Sequence, residues 1–189
     1  MTRSITRALA VCALAAAATA PAFAAADLTG TSVDVSWMFP DASTVYQSRN
    51  VTVGSGPEIV CAGGEAGPDL CQGFVDGATI DLGAQTLSLS IDSGTSSWTS
   101  ETFNGYRFSN LSAGGAWTGY TLTTDFAGLD ASRVTFTPDA VWVNMEGIAP
   151  VAGESFTIAL TSAVPEPTSP ALMVAGLAGL GWLARRRRA

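Results

Sequence analysis

Residues 86–91 read TLSLSI, in which Leu87, Leu89 and Ile91 alternate with polar side chains. A period of two places every second side chain on the same face of a β-strand, so this stretch predicts a strand with one buried face. The same alternation returns in four other places, whose apolar members are Val33, Val35, Trp37 and Phe39; Val134 and Phe136; Val141, Val143 and Met145; and Phe156, Ile158 and Leu160. We therefore expect a domain built from short strands.

Turn-forming residues separate these stretches. They are Ser55-Gly56-Pro57, Asp76-Gly77, Asp92-Ser93-Gly94, Asn104-Gly105, Gly114-Gly115 and Thr137-Pro138-Asp139. Asn-Gly and Asp-Gly readily adopt the positive φ values that tight hairpins require. The pattern predicts an all-β fold, namely a single antiparallel β-sandwich or jelly-roll-like domain over residues 27–163, with a glycine-rich loop at 54–73.

The first 26 residues are typical of a signal peptide for export. Arg3 and Arg7 make the start positive, residues 8–18 are uniformly apolar, and small residues follow at Ala22, Ala24 and Ala26. Signal peptidase requires small side chains one and three residues before the cut, so cleavage after Ala24 or after Ala26 fits. The apolar run is shorter than the ~20 residues of a membrane span, so we expect this segment to be removed by the export machinery.

The composition changes again at Val164. Residues 165–170 read PEPTSP, residues 171–184 are apolar with three glycines, and four arginines follow, Arg185, Arg186, Arg187 and Arg188. We interpret residues 164–189 as a linker, a short transmembrane helix and a stop signal that holds the arginines in the cytoplasm. The apolar helix spans only ~21 Å against a hydrocarbon core of ~30 Å, so snorkelling arginine stems or local thinning must extend it.

Val164-Pro165-Glu166-Pro167, followed by an apolar helix and a terminal arginine cluster, resembles the PEP-CTERM sorting signal of Gram-negative bacteria. The resemblance implies that an exosortase, an enzyme embedded in the inner membrane, recognises Pro165, Glu166 and Pro167 and processes the chain there. It further implies an exported protein that passes through an inner-membrane intermediate and reaches the cell surface or the extracellular space, in bacteria that make exopolysaccharide and biofilm. An ordinary C-terminal anchor with a proline-rich stem is the alternative.

The charge of the central segment excludes one class of partner. From Asp27 to Val164 there are fifteen acidic residues and three arginines, which gives a net charge of −12, and the whole chain has neither lysine nor histidine. Such a segment repels phosphate backbones and lacks the cations that supply nucleic-acid affinity, so we expect no nucleic-acid partner.

Two cysteines remain once Cys12 leaves with the signal peptide. Cys61 and Cys71 lie ten positions apart, in a segment whose export permits stable disulfides. The alternatives are free thiols and a metal pair, and a metal pair would need further thiolate or imidazole ligands, which the chain does not supply. We predict a disulfide between Cys61 and Cys71.

The remaining side chains argue against enzymatic activity. Without histidine or lysine, and with both cysteines oxidised, no base is left to activate a serine or cysteine nucleophile. Carboxylate pairs could serve glycoside hydrolysis or cation binding, and the candidates are Asp76 with Asp81 and Asp125 with Asp130. The favoured interpretation is that these aspartates shape turns and strand edges. We assign no catalytic residue, no metal and no cofactor.

The five tryptophans could provide stacking surfaces for sugars. Trp182 belongs to the tail, and Trp37 and Trp142 lie in strand patterns that predict core positions. Trp98 and Trp117 stand in polar or glycine-rich surroundings, which makes them the better candidates for exposed aromatics, although packing is favoured there too.

These observations lead to one principal hypothesis and two alternatives. The principal one is a non-enzymatic surface or matrix protein, sorted by an exosortase and associated with exopolysaccharide. A calcium-assisted carbohydrate-binding module is the second, and a glycosidase that uses only carboxylates is the third.

Overall fold

The computed structural model describes residues 25–61, 70–73, 77–95, 97–162, 176–179 and 185–186. Residues Ala25–Ala163 form one compact unit. Its described strands are β1 (Ser32–Met38), β2 (Val45–Thr52), β3 (Ile59–Cys61), β4 (Ala78–Leu82), β5 (Thr86–Ile91), β6 (Gly105–Ser109), β7 (Trp117–Thr124), β8 (Val134–Phe136), β9 (Ala140–Asn144) and β10 (Ser155–Ser162). Short 3-10 turns lie at Leu70–Gly73, Leu111–Gly114 and Ala131–Arg133.

The strands form two five-stranded antiparallel sheets. The first has the order β2-β1-β6-β9-β8 and the second the order β3-β4-β5-β10-β7. Each of the five stretches with alternating apolar residues contributes a strand, β1, β5, β8, β9 and β10. The predicted all-β class is therefore confirmed.

Both sheets contribute side chains to one hydrophobic core. In antiparallel pairs, residues directly opposite each other place their side chains on the same face, so register decides which residues meet. Val35 pairs with Phe108 and Phe108 with Val141 in the first sheet, while Phe156 pairs with Leu89 in the second. All five of these side chains are fully buried.

Three local predictions have different outcomes. The hairpin at Thr137-Pro138-Asp139 is confirmed, because Thr137 and Ala140 exchange backbone hydrogen bonds of 2.8 and 3.3 Å. The glycine-rich loop at 54–73 is wrong in part, since β3 lies inside it and pairs with β4. The turn at Asn104-Gly105 is wrong: Gly105 begins β6, where a Cβ would collide with the carbonyl of Val143 on β9. Glycine is therefore needed at position 105 because β6 and β9 approach closely there, and not because the backbone adopts a positive φ.

Candidate functional site

The C-terminal tail carries the predicted sorting residues, most of which lie outside the described residues. This applies to Pro165, Glu166, Pro167, Arg187 and Arg188, while residues 176–179 and Arg185 with Arg186 are helical. In the described part of the chain, no helix combines the length and the apolar character needed to cross a membrane. The membrane helix and the stop signal therefore stay predictions.

The Cys61–Cys71 disulfide is present. The two Cα atoms lie 5.2 Å apart, and the bond joins the last residue of β3 to the 3-10 turn Leu70–Gly73. Leu70 in that turn is fully buried in the core. The disulfide consequently fixes a core-forming turn to the edge strand of the second sheet.

Among the described residues, no contact joins two of the candidate carboxylates into a catalytic pair. Asp125 accepts a hydrogen bond of 2.5 Å from the backbone of Ser155, and Asp130 accepts one of 2.8 Å from the backbone of Ser132. Asp81 lies exposed on β4, and Asp76 lies outside the described residues. Among the described residues, no group of three or more His, Cys, Asp or Glu side chains could hold a metal ion.

The tryptophans reverse the order of exposure that the sequence suggests. Trp98 and Trp117 are buried, with 5% and 2% of their surface exposed, and the indole of Trp117 donates a 2.8 Å hydrogen bond to the carbonyl of Leu111. Trp142 is half-buried and lies out of phase with the buried Val141 and Val143, so it belongs to the outer face of the first sheet.

Trp37 is half-buried and lines a cleft of about 250 Å³ at one end of the first sheet. The lining consists of aromatic and uncharged polar side chains, Trp37, Phe39, Tyr46, Ser97, Trp98, Thr99 and Asn104. This cleft is hereafter called the aromatic cleft. It is a candidate binding site because ligand sites combine apolar walls with a few convergent polar groups.

The aromatic wall of the cleft is formed where β1 passes into β2. The ring of Tyr46 packs edge-to-face against Trp37 and Phe39, with centroid separations of 5.1 and 5.9 Å. In spite of both contacts, 53% of the surface of Tyr46 remains exposed. The rings thus support one another without covering each other face to face.

The loop that carries Phe39 is held by Asp41. Its carboxylate accepts hydrogen bonds of 2.8 Å from the backbone of Ser43 and of Thr44, and one of 2.6 Å from the hydroxyl of Ser43. The Ser43 hydroxyl is the main reason that the pKa of Asp41 lies below its ordinary value, since the bond favours the ionised carboxylate. A backbone bond from Phe39 to Thr44 closes the loop at 3.0 Å.

Asn104 joins the two walls of the aromatic cleft. Its Oδ1 accepts a 2.9 Å bond from the Trp37 indole, and its Nδ2 donates to the carbonyl and the hydroxyl oxygen of Thr99 at 3.1 and 3.2 Å. Its backbone N–H donates to Asn144 Oδ1 at 3.1 Å. Only 2% of Asn104 is exposed, so it positions Trp37 from inside the domain, while Ser97 and Thr99 line the cleft as exposed residues.

Sequence reasoning missed the aromatic cleft for an identifiable reason. Trp37 and Phe39 share the alternation of Val33 and Val35, which predicts burial for all four. The pairing of β1 with β2 shifts register between Trp37 and Met38, and there Met38 is fully buried while its neighbours are half-buried. Tyr46 gave a usable signal, because it is an aromatic residue directly followed by four polar residues at 47–50.

Comparison with known proteins identifies the tail. Residues 163–188 match the family model of the PEP-CTERM protein-sorting motif. The predicted resemblance is thereby confirmed, and the match begins one residue after β10. No curated protein and no solved structure matches the chain.

Proposed function

We propose that this chain is an exported, non-enzymatic surface protein whose two sheets pack as a β-sandwich and contact extracellular polysaccharide after delivery by an exosortase. The single observation that carries this proposal is the PEP-CTERM match at residues 163–188. An exosortase substrate must cross the inner membrane and be released beyond it, so export and surface delivery follow from the motif. The contact with polysaccharide is supported by the aromatic cleft.

The junction between domain and tail suits processing. β10 ends at Ser162, and three prolines follow within residues 165–170. Proline lacks a backbone donor and cannot continue a sheet interior, so this sequence disfavours extension of β10 into the motif and suits recognition by an exosortase. The arginines at the chain end keep the tail oriented with its C-terminus in the cytoplasm.

The contacts of Ala26 favour one of the two signal-peptidase sites. Only 8% of Ala26 is exposed, and its carbonyl accepts a 2.9 Å bond from the side chain of Gln85. Ala26 also packs closely against Gly115: a Cβ at position 115 would clash with the Cβ of Ala26, and glycine avoids this. A cut after Ala26 removes this packed residue, whereas a cut after Ala24 keeps it. This packing supports a cut after Ala24, which would leave Ala25 as the first residue of the mature chain.

The assignment as a non-enzyme rests on chemistry. The chain has no histidine or lysine, and Cys61 and Cys71 are bonded to each other. Asp125 accepts a hydrogen bond from the backbone of Ser155 at the start of β10, and Asp130 accepts one from the backbone of Ser132 in a local turn. The contacts of the described carboxylates support neither a calcium-assisted binding module nor a glycosidase. Turnover of ester, peptide or phosphate substrates that is lost on a single Asp or Glu substitution would overturn this assignment.

Cell fractionation tests the sorting proposal. Full-length protein is expressed in matched strains with and without an exosortase, as wild type, as Glu166→Ala and as the adjacent control Thr168→Ala. We expect wild type and Thr168→Ala to leave the inner membrane only in the strain with the exosortase, and Glu166→Ala to remain there in both. Equal distribution of the wild type in the two strains contradicts exosortase sorting.

A further inference from the structure

We propose that the aromatic cleft binds one uncharged pyranose unit of an extracellular polysaccharide. This inference rests on the proposed function and names the site and the ligand class that it leaves open. A sugar ring has apolar C–H faces and a rim of hydroxyls, and it needs apolar walls with hydrogen-bonding groups at their edge.

The aromatic cleft presents both kinds of surface. Trp37, Phe39 and Tyr46 supply three adjoining rings, and the exposed residues Ser97 and Thr99, which also line the cleft, carry hydroxyls. Single exposed apolar residues are ordinary on protein surfaces, but three aromatics grouped around a concavity indicate a binding site. The hydroxyls favour a sugar over an apolar peptide segment, whose side chains would leave them without partners.

The rings are also held in place before any ligand arrives. Trp37 is fixed by the 2.9 Å bond to buried Asn104, and the loop of Phe39 is fixed by the four side-chain hydrogen bonds that Asp41 accepts. A site that is already ordered loses little conformational entropy on binding, which favours a weakly interacting ligand such as a sugar.

The charge distribution selects an uncharged ligand. None of the seven lining residues is acidic or basic, while the surrounding segment from Asp27 to Val164 carries a net charge of −12. A uronate or phosphate group would enter a negative field without a cation to receive it. The volume of about 250 Å³ lies below the ~300–1,000 Å³ of sites for drug-sized ligands, which suits one ring.

Affinity electrophoresis in native gels tests the site with the full-length protein, purified in a polyoxyethylene detergent from cells without an exosortase. The probes are dextran, hydroxyethylcellulose and galactomannan as neutral polysaccharides, and polygalacturonate as an anionic one. The variants are Tyr46→Ala, Ser97→Phe to fill the cleft, the exposed control Val60→Ala on β3, and Trp142→Ala on the outer face. Far-UV circular dichroism checks that each variant is folded.

We expect retardation by at least one neutral polysaccharide, weakened about tenfold or more by both Tyr46→Ala and Ser97→Phe, and unchanged by Val60→Ala and Trp142→Ala. Equal retardation of wild type, Tyr46→Ala and Ser97→Phe, or a loss caused by Trp142→Ala, overturns the cleft assignment and leaves the proposed function standing. Retardation by polygalacturonate alone overturns the uncharged class. Retardation by no polysaccharide overturns both this inference and the proposed contact with polysaccharide.

Discussion

Asn104→Ala removes the side chain that joins the two walls of the aromatic cleft. The change eliminates the bond from the Trp37 indole and the two contacts with Thr99. Each bond contributes about 0.5–1.5 kcal/mol net, and water can replace the lost partner at Thr99 because that residue is exposed. Three bonds lost outright would lower the free energy of unfolding by about 1.5–4.5 kcal/mol, and because water compensates at Thr99 we expect the lower part of that range, about 1.5–3 kcal/mol.

A double-mutant cycle isolates the contribution of the bond between Trp37 and Asn104. Trp37→Phe keeps an aromatic ring but removes the indole N–H, so the buried Oδ1 of Asn104 loses the hydrogen bond that this N–H donates. Both single variants lose the same bond, so the double variant should be less destabilised than their sum by about 1 kcal/mol. Urea unfolding followed by far-UV circular dichroism measures all four proteins without relying on the altered tryptophan.

Trp117→Phe is the matched control for this cycle. Its indole donates to the carbonyl of Leu111 in another part of the domain, so its effect should add to that of Asn104→Ala within about 0.5 kcal/mol. Additivity of Trp37→Phe and Asn104→Ala within the same margin would refute the claim that Asn104 positions Trp37.

Three further predictions address the rest of the domain. Replacing Cys61 and Cys71 with serine should lower the free energy of unfolding by about 2–3 kcal/mol, because the disulfide closes a loop with a sequence separation of 10; urea midpoints equal to those of the wild type contradict this. Gly105→Ala should destabilise by about 1–3 kcal/mol through the clash with β9, whereas Gly56→Ala, with open space around it, should not; equal effects in urea unfolding would be inconsistent with the close approach. Because hydrogen bonds, above all that from the Ser43 hydroxyl, hold the pKa of folded Asp41 below its ordinary 3.8, their stabilisation is complete above that value and is lost as pH falls from there through the lower pKa of the folded state. Asp41→Asn should therefore make stability fall less steeply in that range, and an unchanged acid limb of the stability-against-pH curve contradicts this.

The fold class could be predicted because five strands bury one face and show it in the sequence. Leu87, Leu89 and Ile91 alternate strictly, and all three are fully buried. β4, whose buried Ile80 and Leu82 alternate with polar residues, was open to the same prediction. Other strands lack this contrast. In β2, for example, most residues are exposed, since it pairs only with β1 at the edge of its sheet.

The aromatic cleft could not be predicted because it depends on register and on distant partners. Asn104 reads as part of an Asn-Gly turn, yet it meets Trp37 only because β6 pairs beside β1. Trp142 was open to a better prediction, since strict alternation with Val141 and Val143 places it on the opposite face. The sorting residues behave differently, because a short linear motif is recognised in the sequence itself.

Mass spectrometry of protein recovered from the surface of a strain with an intact exosortase decides whether the tail is a sorting signal. We expect a mature chain that begins at Ala25 and lacks residues 171–189, because the tail is removed near Pro165-Glu166-Pro167. A chain that ends at Ala189 would show a permanently anchored protein and would contradict exosortase sorting.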